Sequence, residues 1–267
     1  GGGMYNAGGS PTITNTTFLH NTAKYGGGMY NGSSSPRITN TTFSYNTADD
    51  YGGGMVNSSF SSPTITNTTF SYNTARNYGG GMYNHSSSAP YASDPTITNT
   101  IFSYNTAGDG GGMYNHSGAV PIITNTTFSY NTASSIGGGG MYNDSSDPMI
   151  KNSIFWENLK NGSNSVPDAD IANVSSSPTV SYCLTQASSE YSIGTGIINH
   201  QDPLFVDAAN GDFSLQSCSP AINVGTATGI THTTDILENP RVGIVDMGAY
   251  EYQGIPYSTN IYVNATA

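Results

Sequence analysis

A unit of 25 to 31 residues recurs six times within the first 158 residues of this 267-residue chain. Each copy carries a methionine after a run of glycines, an isoleucine between polar residues and a phenylalanine five residues further on. These marks are Met4, Met29, Met55, Met82, Met113 and Met141; Ile13, Ile38, Ile65, Ile97, Ile123 and Ile150; and Phe18, Phe43, Phe70, Phe102, Phe128 and Phe155. A repeat of this length indicates a solenoid or a propeller, in which one unit buries its apolar residues only against its neighbours.

The composition of the unit selects among these architectures. Gly, Asn, Thr and Pro crowd every copy and disfavour helices. A four-stranded propeller blade needs roughly 40 residues, more than one copy supplies. We therefore predict an all-β fold, a right-handed parallel β-helix of about ten rungs with three short strands in each. Residues 1–158 form six near-identical rungs in this prediction, and residues 159–253 form more divergent ones.

Two asparagine columns follow from stacking the copies in register. The first contains Asn15, Asn40, Asn67, Asn99, Asn125 and Asn152, and the second contains Asn21, Asn46, Asn73, Asn105, Asn131 and Asn158. Asparagine tolerates the left-handed conformation, so we expect it to turn the chain at both positions. Each side-chain amide is then expected to bond the amide one rung away, at roughly 4.8 Å.

The charge of the chain excludes several partners. It has six Lys and Arg and a net charge of −11, so it lacks the basic surface that nucleic-acid binding requires. It also contains no apolar run of about 18 residues, so we expect no membrane insertion.

The candidate binding surface is a column of tyrosines that strand alternation points outward. Its members are Tyr5, Tyr30, Tyr83, Tyr114 and Tyr142, with Val56 interrupting the series. Exposed aromatic columns hold sugar rings or another protein, and the structural alternative is that they shield the rung edges from water. An outward Thr-x-Thr array, at residues 12–14, 64–66 and 96–98, raises the further alternative of ice binding.

Several sequons fall where loops are expected to start. These glycosylation candidates are Asn31, Asn57, Asn84, Asn115 and Asn143.

Catalytic and metal signals are weak. Weak calcium candidates are Asp202, Asp207, Asn210 and Asp212, although "DPLFVDAANGDF" is equally an ordinary set of turns. Asp168 and Asp170 could form a catalytic carboxylate pair, but the chain has almost no cations to neutralise an acidic substrate. His85 and His116 could bind a metal, but no third ligand recurs beside them. We therefore predict no catalytic residues, no metal and no cofactor.

Two stretches resemble known families. The pairing of "GGGM" with "FSYN" over residues 1–158 resembles the repeat of polymorphic outer-membrane proteins and autotransporter-like adhesins. "VSYCLTQ" (180–186), "DPLFVDAANGDFSLQSCSPAINVG" (202–225) and "ENPRVGIVDMGAYEY" (238–252) resemble the C-terminal rungs of secreted bacterial right-handed β-helix proteins of the choice-of-anchor type. Such proteins are exported and anchored at the cell surface, so the resemblance implies an extracellular or cell-surface location.

The resemblance also carries expectations about bonding and assembly. Cys183 and Cys218, 35 residues apart in the half that resembles exported proteins, are expected to form a disulfide. "TNIYVNATA" (259–267) resembles the opening strand of the same modules, so residues 254–267 are expected to be a linker and the start of a next copy. In that arrangement Asn260, Ile261, Tyr262, Val263 and Asn264 pair with the first rung of another module.

The resulting expectation for function is structural. The chain is predicted to be an extracellular module of a surface fibre or adhesin, with copies of itself head to tail and surface glycans as partners. The alternatives are a carbohydrate-active lyase or hydrolase, and a glycan- or ice-binding module.

Overall fold

The computed structural model describes residues 1–86, 93–186 and 194–254, and in these the chain winds into a parallel β-helix. Each full turn supplies one short strand to each of four parallel sheets, which we name A to D in chain order. The sequence predicted only three strands per rung. The fourth, in sheet D, comes from the segment that follows the second asparagine, as in Thr22–Tyr25.

The strands are numbered in chain order. Sheet A contains β1 (Met4–Ala7), β5 (Met29–Gly32), β9 (Met55–Ser58), β13 (Met82–His85), β17 (Met113–His116), β21 (Met141–Asp144) and β25 (Ile171–Val174). Sheet B contains β2 (Thr12–Thr14), β6 (Arg37–Thr39), β10 (Thr64–Thr66), β14 (Thr96–Thr98), β18 (Ile122–Thr124), β22 (Met149–Lys151) and β26 (Thr179–Ser181). Sheet C contains β3 (Thr17–Leu19), β7 (Thr42–Ser44), β11 (Thr69–Ser71), β15 (Ile101–Ser103), β19 (Thr127–Ser129), β23 (Ile154–Trp156), β27 (Leu184–Thr185) and β28 (Ile198–Asn199). Sheet D contains β4 (Thr22–Tyr25), β8 (Thr47–Tyr51), β12 (Thr74–Ala75), β16 (Thr106–Ala107), β20 (Thr132–Ala133) and β24 (Leu159–Lys160). An antiparallel pair, β29 (Phe205–Asp207) and β30 (Asp212–Leu215), encloses a 3₁₀ turn at Ala208–Asn210.

The repeated apolar residues form the core, as predicted. Equivalent residues pair in exact register from rung to rung, for example Met29 with Met55 and Phe43 with Phe70. The methionine, isoleucine and phenylalanine columns are buried from the second rung onward. The phenylalanine rings stack with centroids 4.6–4.8 Å apart and planes within 3°. One rung could not bury these side chains, and their stacking makes a continuous core.

Left-handed residues turn the chain between sheets. The first predicted asparagine column has φ of 47–52° and forms the corner between sheets B and C, as expected. The turn expected at the second asparagine lies one residue earlier, at His20, Tyr45, Tyr72, Tyr104, Tyr130 and Glu157, with φ of 53–57°. The following asparagine therefore points inward, which explains why it serves in a ladder and not in the turn.

Two amide ladders run through the interior. In the inner ladder (Asn21, Asn46, Asn73, Asn105, Asn131 and Asn158) each side-chain Nδ2 donates to the next Oδ1 at 2.9–3.0 Å, as predicted. A second, unpredicted ladder lies in sheet A and contains Asn6, Asn31, Asn57, Asn84, Asn115, Asn143 and Asn173, joined at 2.8–2.9 Å.

The ladder expected at the first asparagine column is not continuous. Among the described residues it shows one amide–amide bond, from Asn99 Nδ2 to Asn67 Oδ1 at 3.1 Å.

The rung count was wrong, because the last part of the chain leaves the helix. Among the described residues, sheets A and B have seven strands each, which gives the solenoid about seven turns instead of ten. Residues 200–254, the return segment, fold back along the outside of sheet C and the corner between sheets B and C. The amides of the first asparagine column hold it there: Asn152 pairs with both backbone groups of Thr226, and Asn99 Nδ2 donates to the Thr234 carbonyl.

Residues 255–267 lie outside the described part of the chain, so the predicted assembly strand at residues 260–264 is not described. No helix among the described residues is long and apolar enough to cross a membrane.

Candidate functional site: a tyrosine groove on sheet A

The outer face of sheet A carries a groove of about 440 Å³. It is lined by Tyr25, Tyr30, Tyr51, Val56, Ser58, Tyr78, Tyr83, His85, Tyr114, His116 and Asp144, which we call the tyrosine groove. Strand alternation positions these residues, because the methionine and asparagine of each sheet A strand point inward and the residues after them point outward. The groove thus follows the solenoid axis across successive rungs.

Two tyrosine columns form its walls. Tyr51 stacks between Tyr25 and Tyr78 at the edge of sheet D, with ring centroids 5.4 and 5.3 Å away. The predicted column on sheet A is open only at its start: Tyr5 is 65% exposed, whereas Tyr83 and Tyr114 are 8% and 5% exposed. Most of the predicted binding surface is therefore packed against the second column, and the groove between the columns is what remains open.

Val56 interrupts the tyrosine column of sheet A, so strand β9 contributes no aromatic ring to this column. Val56 pairs with Tyr30 on one side and Tyr83 on the other. Tyr5 stacks on one face of Tyr30 at 5.2 Å, and within the described residues no ring stacks on the other face. Tyr51 stacks on Tyr83 at 5.0 Å, and Val56 itself is buried within the tyrosine cluster. The missing ring leaves one face of the half-buried Tyr30 without a stacked ring at this level.

A polar row lines the other side of the groove. Ser58, His85, His116 and Asp144 occupy equivalent positions on β9, β13, β17 and β21. The two imidazoles stack with centroids 5.4 Å apart. Asp144 Oδ2 accepts a hydrogen bond from the Tyr114 hydroxyl at 3.4 Å and lies 3.1 Å from His116 Nδ1, without hydrogen-bond alignment to it.

The electrostatics of the groove favour neutral and cationic groups. Burial, followed by neighbouring tyrosines and then Asp50 and Asp144, raises the pKa of Tyr83 well above its usual range. Burial, followed by His116, lowers the pKa of His85, so this imidazole is neutral at pH 7. The eleven lining residues include no Lys or Arg. The chain's own Lys24 places its ammonium 4.9 Å from the ring centroid of Tyr25, next to the groove.

The glycosylation candidates proved to be the sheet A ladder. Asn31, Asn57, Asn84, Asn115 and Asn143 were expected at loop starts, but each is fully buried and hydrogen-bonded to its neighbours in the ladder. The prediction was wrong because each asparagine still belongs to the strand, two residues after the inward methionine, and so points inward as well.

The predicted disulfide is absent. Cys183 and Cys218 are both free thiols, the first buried in the core and the second exposed. Cys183 belongs to a rung just before β27, whereas Cys218 lies in the return segment after β30. The prediction assumed that both lay in neighbouring rungs, and the departure of the chain from the helix separates them.

The weak metal candidates do not converge. Asp202, Asp207 and Asp212 each accept a local bond, from Leu204 N, Asn210 Nδ2 and Ser214 N respectively. His85 and His116 are adjacent, but across residues 1–86, 93–186 and 194–254 no three His, Cys, Asp or Glu side chains cluster to hold a metal ion.

The carboxylate pair does not share a face. Asp168 has φ of 69° in a turn and lies 3.7 Å from the Lys160 ammonium. Asp170 is buried, and it accepts hydrogen bonds from Asn158 Nδ2 at 2.9 Å and from Gln186 N at 2.8 Å. Asp170 thus terminates the inner ladder.

The Thr-x-Thr array is also partly covered. Thr98, its last member, is buried, and the return segment runs beside it at Thr234.

Sequence reasoning missed a second surface column of rings. His20, Tyr45, Tyr72, Tyr104 and Tyr130 stack at the corner between sheets C and D, 4.9–5.2 Å apart. The recurring "FSY" contained the signal, because a tyrosine follows the phenylalanine at the same interval in four successive copies. Its C-terminal end is occupied by the return segment, where the Tyr104 hydroxyl donates to the Ala208 carbonyl at 2.8 Å.

No protein-family model matches the sequence, and no curated protein matches it significantly.

Proposed function

We propose that this chain is a rigid structural module of an extracellular fibre or adhesin, displaying the tyrosine groove along its side. The observation that carries the proposal is the set of uninterrupted columns that run along the solenoid. The two amide ladders and the phenylalanine stack continue from rung to rung without a gap. Bending the rod would break several of these contacts at once, so the columns make it stiff.

The surface fits the same role. Few charges project from the stacked positions, where like charges spaced by about 4.8 Å would repel one another. The resemblance to surface-anchored repeat proteins supports the extracellular location.

Immunogold labelling of intact cells of the source organism, compared with permeabilised cells, tests this proposal. Surface labelling that is removed by external protease is the expected result. Label that appears only after permeabilisation would contradict it.

Head-to-tail assembly through residues 260–264 is the proposed mode of fibre growth. Purified chain lacking residues 259–267 should form shorter assemblies than the full chain by electron microscopy. Assemblies of unchanged length would argue against this mode and would leave the surface location intact.

A further inference from the structure

We propose that the tyrosine groove binds a linear, non-acidic polysaccharide lying along the solenoid axis, with one sugar ring stacked on the face of Tyr30 that lacks a stacked ring. The inference deepens the proposed adhesin role by naming the class of ligand. It rests on the shape of the groove, on the missing ring at Val56, and on the row of polar groups along one wall.

The shape favours a linear chain. The lining residues extend from Tyr30 on β5 to Asp144 on β21, which is four strand spacings of about 4.8 Å, or roughly 19 Å. A groove of this length and of about 440 Å³ fits several linked sugar rings better than a single small molecule. Successive rungs would therefore contact successive sugar units along the chain.

The stacking geometry indicates where a ring would sit. Within an aromatic column neighbouring rings cover each other's faces and leave only their edges and hydroxyls outside. At Val56 the column lacks one ring, so the face of Tyr30 opposite Tyr5 has no stacked neighbour among the described residues. The apolar C–H face of a pyranose fits against such a ring face, as a tyrosine presents an apolar body beside a polar tip.

The polar wall suits sugar hydroxyls. Ser58, His85, His116 and Asp144 offer both donors and acceptors at successive rungs, beside the hydroxyl of Tyr114. A few polar groups along an apolar surface are the usual composition of a site that orients a polar ligand.

The charge of the groove discriminates among polysaccharides. Asp144 lines it, and Asp50 lies close enough to affect the pKa of Tyr83. Uronic-acid chains would be repelled by these carboxylates. An amino sugar would be favoured, because its ammonium pairs with Asp144.

Isothermal titration calorimetry with length-matched hexasaccharides tests the proposal. The probes are cellohexaose, the hexamers of N-acetylglucosamine and glucosamine, and hexagalacturonate, with spermine as a control for charge alone. At least one uncharged hexamer is expected to bind. The glucosamine hexamer is expected to bind about three- to fivefold more tightly than its acetylated form. Hexagalacturonate is expected not to bind. The proposal would be overturned if none of the three non-acidic hexamers bound. It would also be overturned if spermine and the glucosamine hexamer bound equally tightly while neither uncharged hexamer bound.

Variants locate the site. Tyr30→Ala should weaken binding at least tenfold, and Val56→Tyr should abolish it by supplying the missing ring. Tyr45→Ala removes an exposed ring from the other surface column and is expected to leave affinity unchanged. Asp144→Asn should retain binding of the uncharged hexamers and remove the preference for glucosamine.

Circular dichroism and thermal unfolding verify that each variant is folded. Should Val56→Tyr fail to fold, Tyr30→Ala still decides the question, since Tyr30 is only partly buried. Equal loss of affinity in Tyr30→Ala and Tyr45→Ala would place binding elsewhere. None of these results depends on where the protein is located in the cell, so they are independent of the labelling experiment.

Discussion

Asparagine occupies three kinds of position in each rung, and backbone direction determines what each one does. At the corner between sheets B and C it has left-handed φ and faces outward to the return segment. In the inner ladder and in the sheet A ladder it points inward and bonds its equivalents. The same side chain therefore serves as a turn residue, a tertiary anchor and a core hydrogen-bonding group.

Replacing a residue in the middle of the inner ladder should be costly. Asn73 Oδ1 accepts from both Asn46 N and Asn46 Nδ2, and its own Nδ2 donates to Asn105 Oδ1 and the Phe43 carbonyl. Asn73→Ala leaves several of these buried groups without partners and should lower the free energy of unfolding by roughly 3–5 kcal/mol. Urea denaturation measures this loss.

Asn15→Ala is the matched control, because Asn15 is exposed in the left-handed corner. Its cost should be about 1 kcal/mol, from backbone strain alone. Similar losses in the two variants would show that the ladder adds no stability beyond that of an ordinary turn asparagine.

The two thiols should differ sharply in reactivity. Burial raises the pKa of Cys183 to about 12, so at pH 8 it is a protonated core residue. Cys218 is exposed. Native, unreduced protein should incorporate one equivalent of a maleimide, at Cys218, and a second only after denaturation.

Mass mapping of the labelled peptides checks the assignment. If the native protein took up no label, but took up two equivalents after reduction under denaturing conditions, the result would indicate that Cys183 and Cys218 form a disulfide.

The return segment is the element that differs most from the repeat, and a buried ion pair holds it together. Arg241 and Glu251 are each 2% exposed in their side chains and meet at 2.9 Å. Arg241 also donates to Asn99 Oδ1 at 2.9 Å, which ties the segment to the solenoid. Breaking such a pair on one side leaves a buried charge unpaired.

Arg241→Ala should therefore destabilise this element by about 3–5 kcal/mol. Limited proteolysis is expected to cleave within residues 200–254 while the solenoid stays intact. Arg76→Ala, at an exposed position, is the control and should behave like the wild type. Unchanged cleavage of Arg241→Ala would mean that apolar contacts alone hold the segment.

Asp246 should make the stability of the return segment depend on pH. Burial raises its pKa in the folded protein to about 6, even though it accepts bonds from Asn223 N and Tyr252 N. Because this value lies above the unfolded value of about 3.9, the folded state binds the proton more tightly. Its contribution to stability is complete below about pH 4 and is lost as the pH rises through about 6.

The Asp246→Asn variant isolates this contribution. Between pH 4 and 7 the unfolding free energy of the wild type should fall relative to that of the variant, as measured by urea denaturation at each pH. A difference that stays constant over this range would rule out titration of Asp246.

At the scale of the whole molecule, the solenoid is a one-dimensional stack in which each rung contacts its neighbours. Phe70 stacks between Phe43 and Phe102 and is fully buried. Phe18 stacks on Phe43 and is 6% exposed. Stability in such an array is close to a sum of rung and neighbour terms, so position along the stack should decide the effect of a substitution.

Phe70→Ala should accordingly cost on the order of 3–5 kcal/mol, and Phe18→Ala distinctly less. Hydrogen exchange read rung by rung should show the loss of protection centred on the substituted rung. Equal losses for both variants would indicate that the first rung is covered by another chain or segment.

The sequence by itself determined the solenoid, its inward columns and the inner ladder. These features follow from the periodicity of the sequence, because a residue that recurs in every copy contacts the equivalent residues of the neighbouring rungs. The sheet B to C corner was equally predictable, since asparagine is suited to the left-handed conformation that it requires. The outward tyrosine column, with its interruption at Val56, was also visible in the sequence.

Only the tertiary structure decided what covers the outside. The return segment has no repeat, so nothing in its sequence required it to leave the helix and bury one end of the outer columns. A signal was present in β15, β23 and β27, where Ile101, Ile154 and Leu184 replace the outward threonine of the earlier copies and pack under this segment. Likewise, the groove exists because two tyrosine columns on neighbouring sheets meet, and their separation depends on how the chain turns between sheets D and A. Periodicity specifies contacts between equivalent residues, whereas contacts between unlike segments depend on the path of the whole chain.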